Sequence, residues 1–166
     1  METLNIAYAA SSNLTVTNLH SLASSSTWVA GWESGAIDNT STLYDDILVS
    51  GKIALGNGAT AGEIRFYLVG MIDDSEWPDV MDGTESTETW TTTTIRDGAA
   101  RLAAVVATRA DPGTDDVYTI APFGVAQFFG GVLPHKLVVF VTHSTGVNLA
   151  ASGNEVNIKG VTYTIA

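Results

Sequence analysis

Apolar and polar positions alternate along the chain in short runs, separated by turns rich in glycine, serine and threonine. In "STWVAGWES", Trp28, Ala30 and Trp32 fall on one side of an extended strand, with Val29 and Gly31 on the other. "EIRFYLVGMI" places Ile64, Phe66 and Leu68 on one face and Arg65, Tyr67 and Val69 on the opposite one. "LYDDILVSGKIAL", "DVYTIAPF", "HKLVVFVTHS" and "EVNIKGVTYTIA" read as further strands. "AARLAAVVATRA" fits either period, because alanine favours helix while Leu102, Val105 and Val106 suit both. "GVAQFFGGVLP" has room for one helical turn, and "ADPGTDD" is a turn in which proline sets φ and glycine accepts left-handed geometry.

About eight strand candidates at short intervals, without the long helices of parallel βαβ units, predict an all-β fold. The expected architecture is an antiparallel two-sheet sandwich, jelly-roll-like, spanning residues 23–166. Residues 1–22 are polar, small and weakly patterned, and read as an extended N-terminal arm.

Composition narrows the functional classes. The 166 residues suit one domain, and 45% hydrophobic with 15% charged residues belongs to a folded chain. The net charge of −11 and only seven scattered basic residues argue against a nucleic-acid backbone or an anionic membrane as partner. A basic protein surface remains compatible with that charge. There is no cysteine, which excludes disulfides, thiol catalysis and cysteine metal sites. No run approaches the roughly 20 apolar residues of a spanning helix. The first residues lack the basic and apolar regions of a signal peptide, so a cytosolic product is expected.

Candidate chemistry is sparse. "GNGATA" matches the loose dinucleotide pattern G-x-G-x-x-A, but it runs into strand instead of the helix N-terminus that receives pyrophosphate, and so reads as a hairpin loop. His135 and His143 lie roughly 26 Å apart if one strand holds both, at ~3.3 Å per residue, too far to share a metal. His143 and Ser144 are adjacent, so on a strand they face opposite ways, and no nucleophile elbow surrounds them. The acidic stretch "SEWPDVMDGTESTETWTTTTIRDG" lacks the EF-hand order of oxygen ligands. It reads as a solvated inter-strand loop running into a Thr-rich strand at "TWTTTTI", with calcium binding left open. Trp28 and Trp32 read as core, whereas Trp77 and Trp90 flank the acidic segment and are placed to pin its base. No catalytic residue, metal ligand or cofactor site is assigned.

"SLASSSTWVAGWESGAIDNTSTLYDDILVSGKI", "WPDVMDGTESTETW", "APFGVAQFFGGVLPHK" and "VVFVTHSTGVNL" resemble a family of small structural proteins of tailed-bacteriophage virions. The likeness runs from about Ser21 to the C-terminus and carries no catalytic signature. It implies a non-enzymatic capsid cement or decoration protein of the jelly-roll type, bound outside the major capsid protein, often as a homotrimer. Such a protein is made in the host cytoplasm and resides on the capsid surface. The alternative it leaves is a tail or head-fibre module that binds host carbohydrate. On the decoration reading, Leu4, Ile6 and Tyr8 of the arm, with Trp77 and Trp90, are the candidate contacts to other subunits or to the capsid. The polar arm and the long acidic insertion both depart from a self-contained jelly roll.

Overall fold

The computed structural model describes residues 3–110 and 116–165. Its strands are β1 (Leu4–Tyr8), β2 (Ser12–Asn13), β3 (Ala30–Glu33), β4 (Ile37–Asp38), β5 (Asp46–Ala54) and β6 (Gly62–Gly70). They continue with β7 (Ser86–Thr89), β8 (Arg101–Thr108), β9 (Val117–Gly124), β10 (Lys136–His143) and β11 (Glu155–Ile165). One helix, α1 (Thr93–Ala99), and a 3-10 turn at Ala126–Phe129 interrupt them.

The strands form two antiparallel sheets packed as a sandwich. One runs β1-β11-β5-β9, with β2 also on β11. The other runs β7-β3-β10-β6-β8, with β4 also on β10. From β8 to β11 each successive strand changes sheet.

Between the sheets lies the main core, with Trp32, Ile47, Val49, Ile53, Ile64, Phe66, Leu68 and Val156. Strand β10 explains the unbroken apolar run "LVVFV". Its Leu137, Val139 and Val141 enter this core, while Val138 and Phe140 enter a second cluster on the sheet's outer face. A strand covered on both faces has no need of alternation. The cover is the segment 71–100, which folds back over the sheet and contributes Met81, Trp90 and Ala100. Trp90 meets the Phe140 ring edge-on, centroids 6.0 Å apart. Gly31 makes room for that ring, since a Cβ there would collide with Phe140 and the Val141 carbonyl.

Several local expectations change. "TTTT" is the start of α1, not strand: Thr92 Oγ1 accepts from the Ile95 amide at 3.1 Å, an N-cap that a threonine before a helical turn supplies. The ambiguous alanine-rich segment is strand β8, held in the ladder with β6. "GNGATA" is a turn between the two sheets and not a hairpin, because β5 and β6 lie in different sheets. Gly58 supplies its positive φ of 79°. Trp28 sits just outside β3 at φ 63°, half-buried, with the Arg65 guanidinium 3.8 Å from its ring centroid, and is not a core residue. The 3-10 turn falls where "GVAQFFGGVLP" allowed one. Residues 111–115 of the expected turn "ADPGTDD" lie outside the described residues.

The tract read as an arm divides in two. Strand β1 lies along β11 at the edge of its sheet, exposed throughout. From Leu14 the chain turns inward: Leu14 and Val16 pack against the main core, and Leu19 and Leu22 are buried in it.

Candidate interaction surfaces

The acidic segment is held at its base by its own carboxylates. Glu33 of β3 is fully buried, and its Oε1 accepts from the Gly83 and Asp82 amides at 2.7 and 3.2 Å. Its Oε2 is buried without a partner among the described residues. Burial pushes the Glu33 carboxyl up to about 7, helped by the charges of Asp82 and Glu88 and opposed by the two amide bonds. Asp79 receives the Thr91 amide and hydroxyl at 2.8 and 2.7 Å, closing the segment's two ends on each other. Glu85 accepts from the Trp32 indole and from the amide and side chain of Asn18. Asp73 caps the turn at Ser75 and Glu76, and those bonds hold its carboxyl below the ordinary value. These carboxylates are structural acceptors. Among the described residues no three His, Asp or Glu side chains converge on a point that would hold a metal ion.

The possible nucleophilic pair is likewise engaged. His143 is buried, with Nε2 3.0 Å from the Leu22 carbonyl and Nδ1 2.9 Å from the Thr145 hydroxyl. Burial lowers its pKa, so the ring is neutral, Nε2–H donating to the carbonyl and Nδ1 accepting from Thr145. Ser144 donates no proton toward it; its Oγ accepts from the Glu63 amide on the other side of the strand.

Two of the surface hollows differ in chemistry. One of about 230 Å³ lies between the N-terminal tract and the sandwich, lined by Ser12, Leu14, Ile37, Asp38, Tyr44 and Ile47. Its single carboxylate, Asp38, is already paired with Thr40 and Lys136. The other, about 480 Å³ and open, gathers Arg65, Arg96 and Arg101 beside Tyr67 and Phe128. Arg96 is a buried anchor there, bonded to Asp97 and the Trp28 carbonyl, with its guanidinium 5.1 Å from the Tyr67 ring.

A run of exposed apolar side chains lies elsewhere. Strands β1 and β11 pair as Leu4↔Ile165, Ile6↔Tyr163 and Tyr8↔Val161. Opposed residues share a face, so these six side chains form one stripe. Val161 is buried, but Leu4, Ile6, Tyr8, Tyr163 and Ile165 are 48–71% exposed. Strand β5 accompanies β11 only from Glu155 to Val161, so the last residues of β11 form a two-stranded ribbon with β1 alone. No residue of the described ribbon is charged.

The candidate contact residues thus fall into different places. Leu4, Ile6 and Tyr8 lie together on the ribbon, exposed. Trp77 is half-buried against Gly83 in the cover of the second cluster. Trp90 is 1% exposed at the centre of that cluster and has no ring face to offer a partner or a sugar, which removes it from the contact set. Tyr163 and Ile165 belong to the stripe but were not singled out, since only the register of β11 on β1, more than 150 residues away in sequence, places them there. Glu33 was also missed; a lone acid after "GW" carries no sign of burial. Among the described residues no helix is long and apolar enough to cross a membrane. No family model matches this chain, and no curated protein or solved structure does either.

Proposed function

We propose that this protein is a structural component of a bacteriophage virion, a capsid cement or decoration protein that acts by binding the outside of the major capsid lattice. The reading rests on the resemblance of its strand and turn segments to such proteins. The structural observation that carries it is the apolar face of the β1–β11 ribbon. A surface of five large, uncharged, exposed side chains presents on the order of 500 Å² of apolar area, the size at which a patch marks an interaction site. The carboxylates of the acidic segment serve the fold, as His143 does, which supports a role in binding rather than turnover.

The experiment is co-sedimentation with expanded heads of the parent phage. Saturable attachment is expected, with Tyr163→Glu weakening it about tenfold or more, because a charge replaces a buried aromatic contact. Heads lacking the protein should lose DNA at lower temperature. Failure of the purified protein to attach to those heads would end the capsid reading.

A further inference from the structure

The ribbon has an edge as well as a face, and the edge is the more informative of the two. The Ala9 amide donates to the Gly160 carbonyl at 2.9 Å, so Ala9 and Gly160 are a hydrogen-bonded pair of the ladder. In an antiparallel ladder the direction of the backbone groups alternates. Ala7 and Asn5 therefore also point toward β11, and Leu4, Ile6 and Tyr8 direct both N–H and C=O outward from the sheet. On the far side of β11 the corresponding position is closed, since the Tyr163 amide donates to Asp45 Oδ2 at 2.6 Å.

Among the described residues, and apart from the two-residue strands β2 and β4, the edge strands are β1, β9, β7 and β8. Three carry features that discourage pairing with another chain. Strand β9 contains Pro122 and joins β5 with a register shift. Strand β7 has only four residues, one of them Glu88. Strand β8 begins at Arg101, is followed by Arg109, and joins β6 through an irregularity. Strand β1 has no charge, no proline and an unbroken register.

We infer that β1 is the pairing edge for a second copy of this chain, joined antiparallel across a two-fold axis at Ile6. The register follows from the outward groups. Ile6 opposes Ile6 of the second copy, and Leu4 opposes its Tyr8, each a hydrogen-bonded pair. The match is self-complementary, because an apolar side chain meets an apolar side chain at every outward position. Charge leaves this one edge open to the same occupant. Two chains of net charge −11 repel over most of their surfaces, and the uncharged ribbon is where they meet without opposing carboxylates. The result is one continuous sheet, β9-β5-β11-β1 followed by its mirror order in the second copy. The two apolar stripes then adjoin and double the face available to a lattice, to about 1,000 Å². The pairing depends on the ribbon being an assembly surface, not on which lattice it meets. It replaces the three-fold arrangement implied by the resemblance with a two-fold one.

The absence of cysteine makes a direct test possible. Under mild oxidation Ile6→Cys is expected to form a disulfide-linked pair, since opposed Cα atoms of a hydrogen-bonded pair lie about 5.5 Å apart. Tyr163→Cys, on the same stripe but one strand in from the edge, is expected to stay single. Sedimentation equilibrium of the unmodified chain should show twice the chain mass at high concentration. Ile6→Pro, which removes an outward N–H without touching the β11 ladder, should return it to one. Circular dichroism checks that each variant keeps its strands. An Ile6→Cys chain that folds but stays single, linkage of Tyr163→Cys to an equal extent, or a trimeric mass each overturns the inference. A monomer that still decorates heads sinks the pairing and leaves the capsid reading standing; a dimer that ignores heads does the reverse.

Discussion

Residues 71–100 and the β1–β11 ribbon are both additions to the two-sheet frame, and both carry large apolar side chains. In the first, Met81 and Trp90 are buried against Val138 and Phe140, and polar groups around them close the segment onto itself. In the second, five apolar side chains stand in the open on a strip without charge. The acidic segment is rich in carboxylates yet behaves as a piece of the core's wall. The ribbon is poor in charge yet is the part left unsatisfied. Surface charge is thus a poor guide here to which region awaits a partner; the location of unburied apolar area is the better one.

The largest effect should come from the first region. Trp90→Ala removes the centre of the second cluster and leaves a cavity above Phe140, and is expected to cost about 3–5 kcal/mol of unfolding free energy. Urea or thermal denaturation measures it. A loss no larger than that of an ordinary surface substitution would mean that the segment is not a wall of the core but a loose flap.

The contrast between the regions was only half legible in the sequence. The run "LVVFV" read as strand, and its burial on both faces requires a cover, but nothing local identified residues 71–100 as that cover. The seven acidic residues from Asp73 to Glu88 suggested solvent, and most of these carboxylates do reach water. What the pattern could not convey is that Asp79, Glu85 and the distant Glu33 use theirs to receive specific amides, hydroxyls and an indole. Four threonines in a row have high strand propensity, yet Thr92 serves as a helix cap because the chain must reverse before β8. Within the weakly patterned arm Leu4, Ile6 and Tyr8 were candidate contacts, whereas their partners Tyr163 and Ile165 depend on a pairing that only the folded chain establishes.

An intermediate effect should appear as a pH dependence of the first region. The Glu33 carboxyl has its pKa raised to about 7 in the folded protein, against an ordinary value of 4.5. Between these values the folded chain holds a proton that the unfolded chain has released. Stability therefore falls as pH rises through this window, is fully retained below it, and is level above it with respect to this group. The loss is up to about 3 kcal/mol. Glu33→Gln, which keeps an acceptor for the Gly83 amide but does not ionise, should flatten the dependence between pH 4.5 and 7. Unfolding curves across that range decide it. An unchanged slope in Glu33→Gln would assign the dependence to another group.

The smallest effect on the folded monomer should come from the ribbon, and that is what distinguishes it. Removing residues 1–8 takes away β1, whose side chains are exposed and whose only ladder partner among the described residues is β11. The body of β11 keeps its register with β5 from Glu155 to Val161, so the sandwich retains its inner strands. Measured where copies are dissociated, the change in stability should stay near 0.5 kcal/mol, the range of surface substitutions. Extending the deletion to residue 22 should behave quite differently, because Leu19 and Leu22 leave the main core, and burying a leucine contributes about 1.5–3 kcal/mol each. Thermal melts of the two truncations, run side by side at low and high concentration, separate the contributions. The short truncation should lose only the concentration dependence of its melting temperature, and the long one its folded state. If the short truncation is already strongly destabilised when dilute, β1 is a structural strand of the monomer, and its bare apolar face has to be explained without a partner.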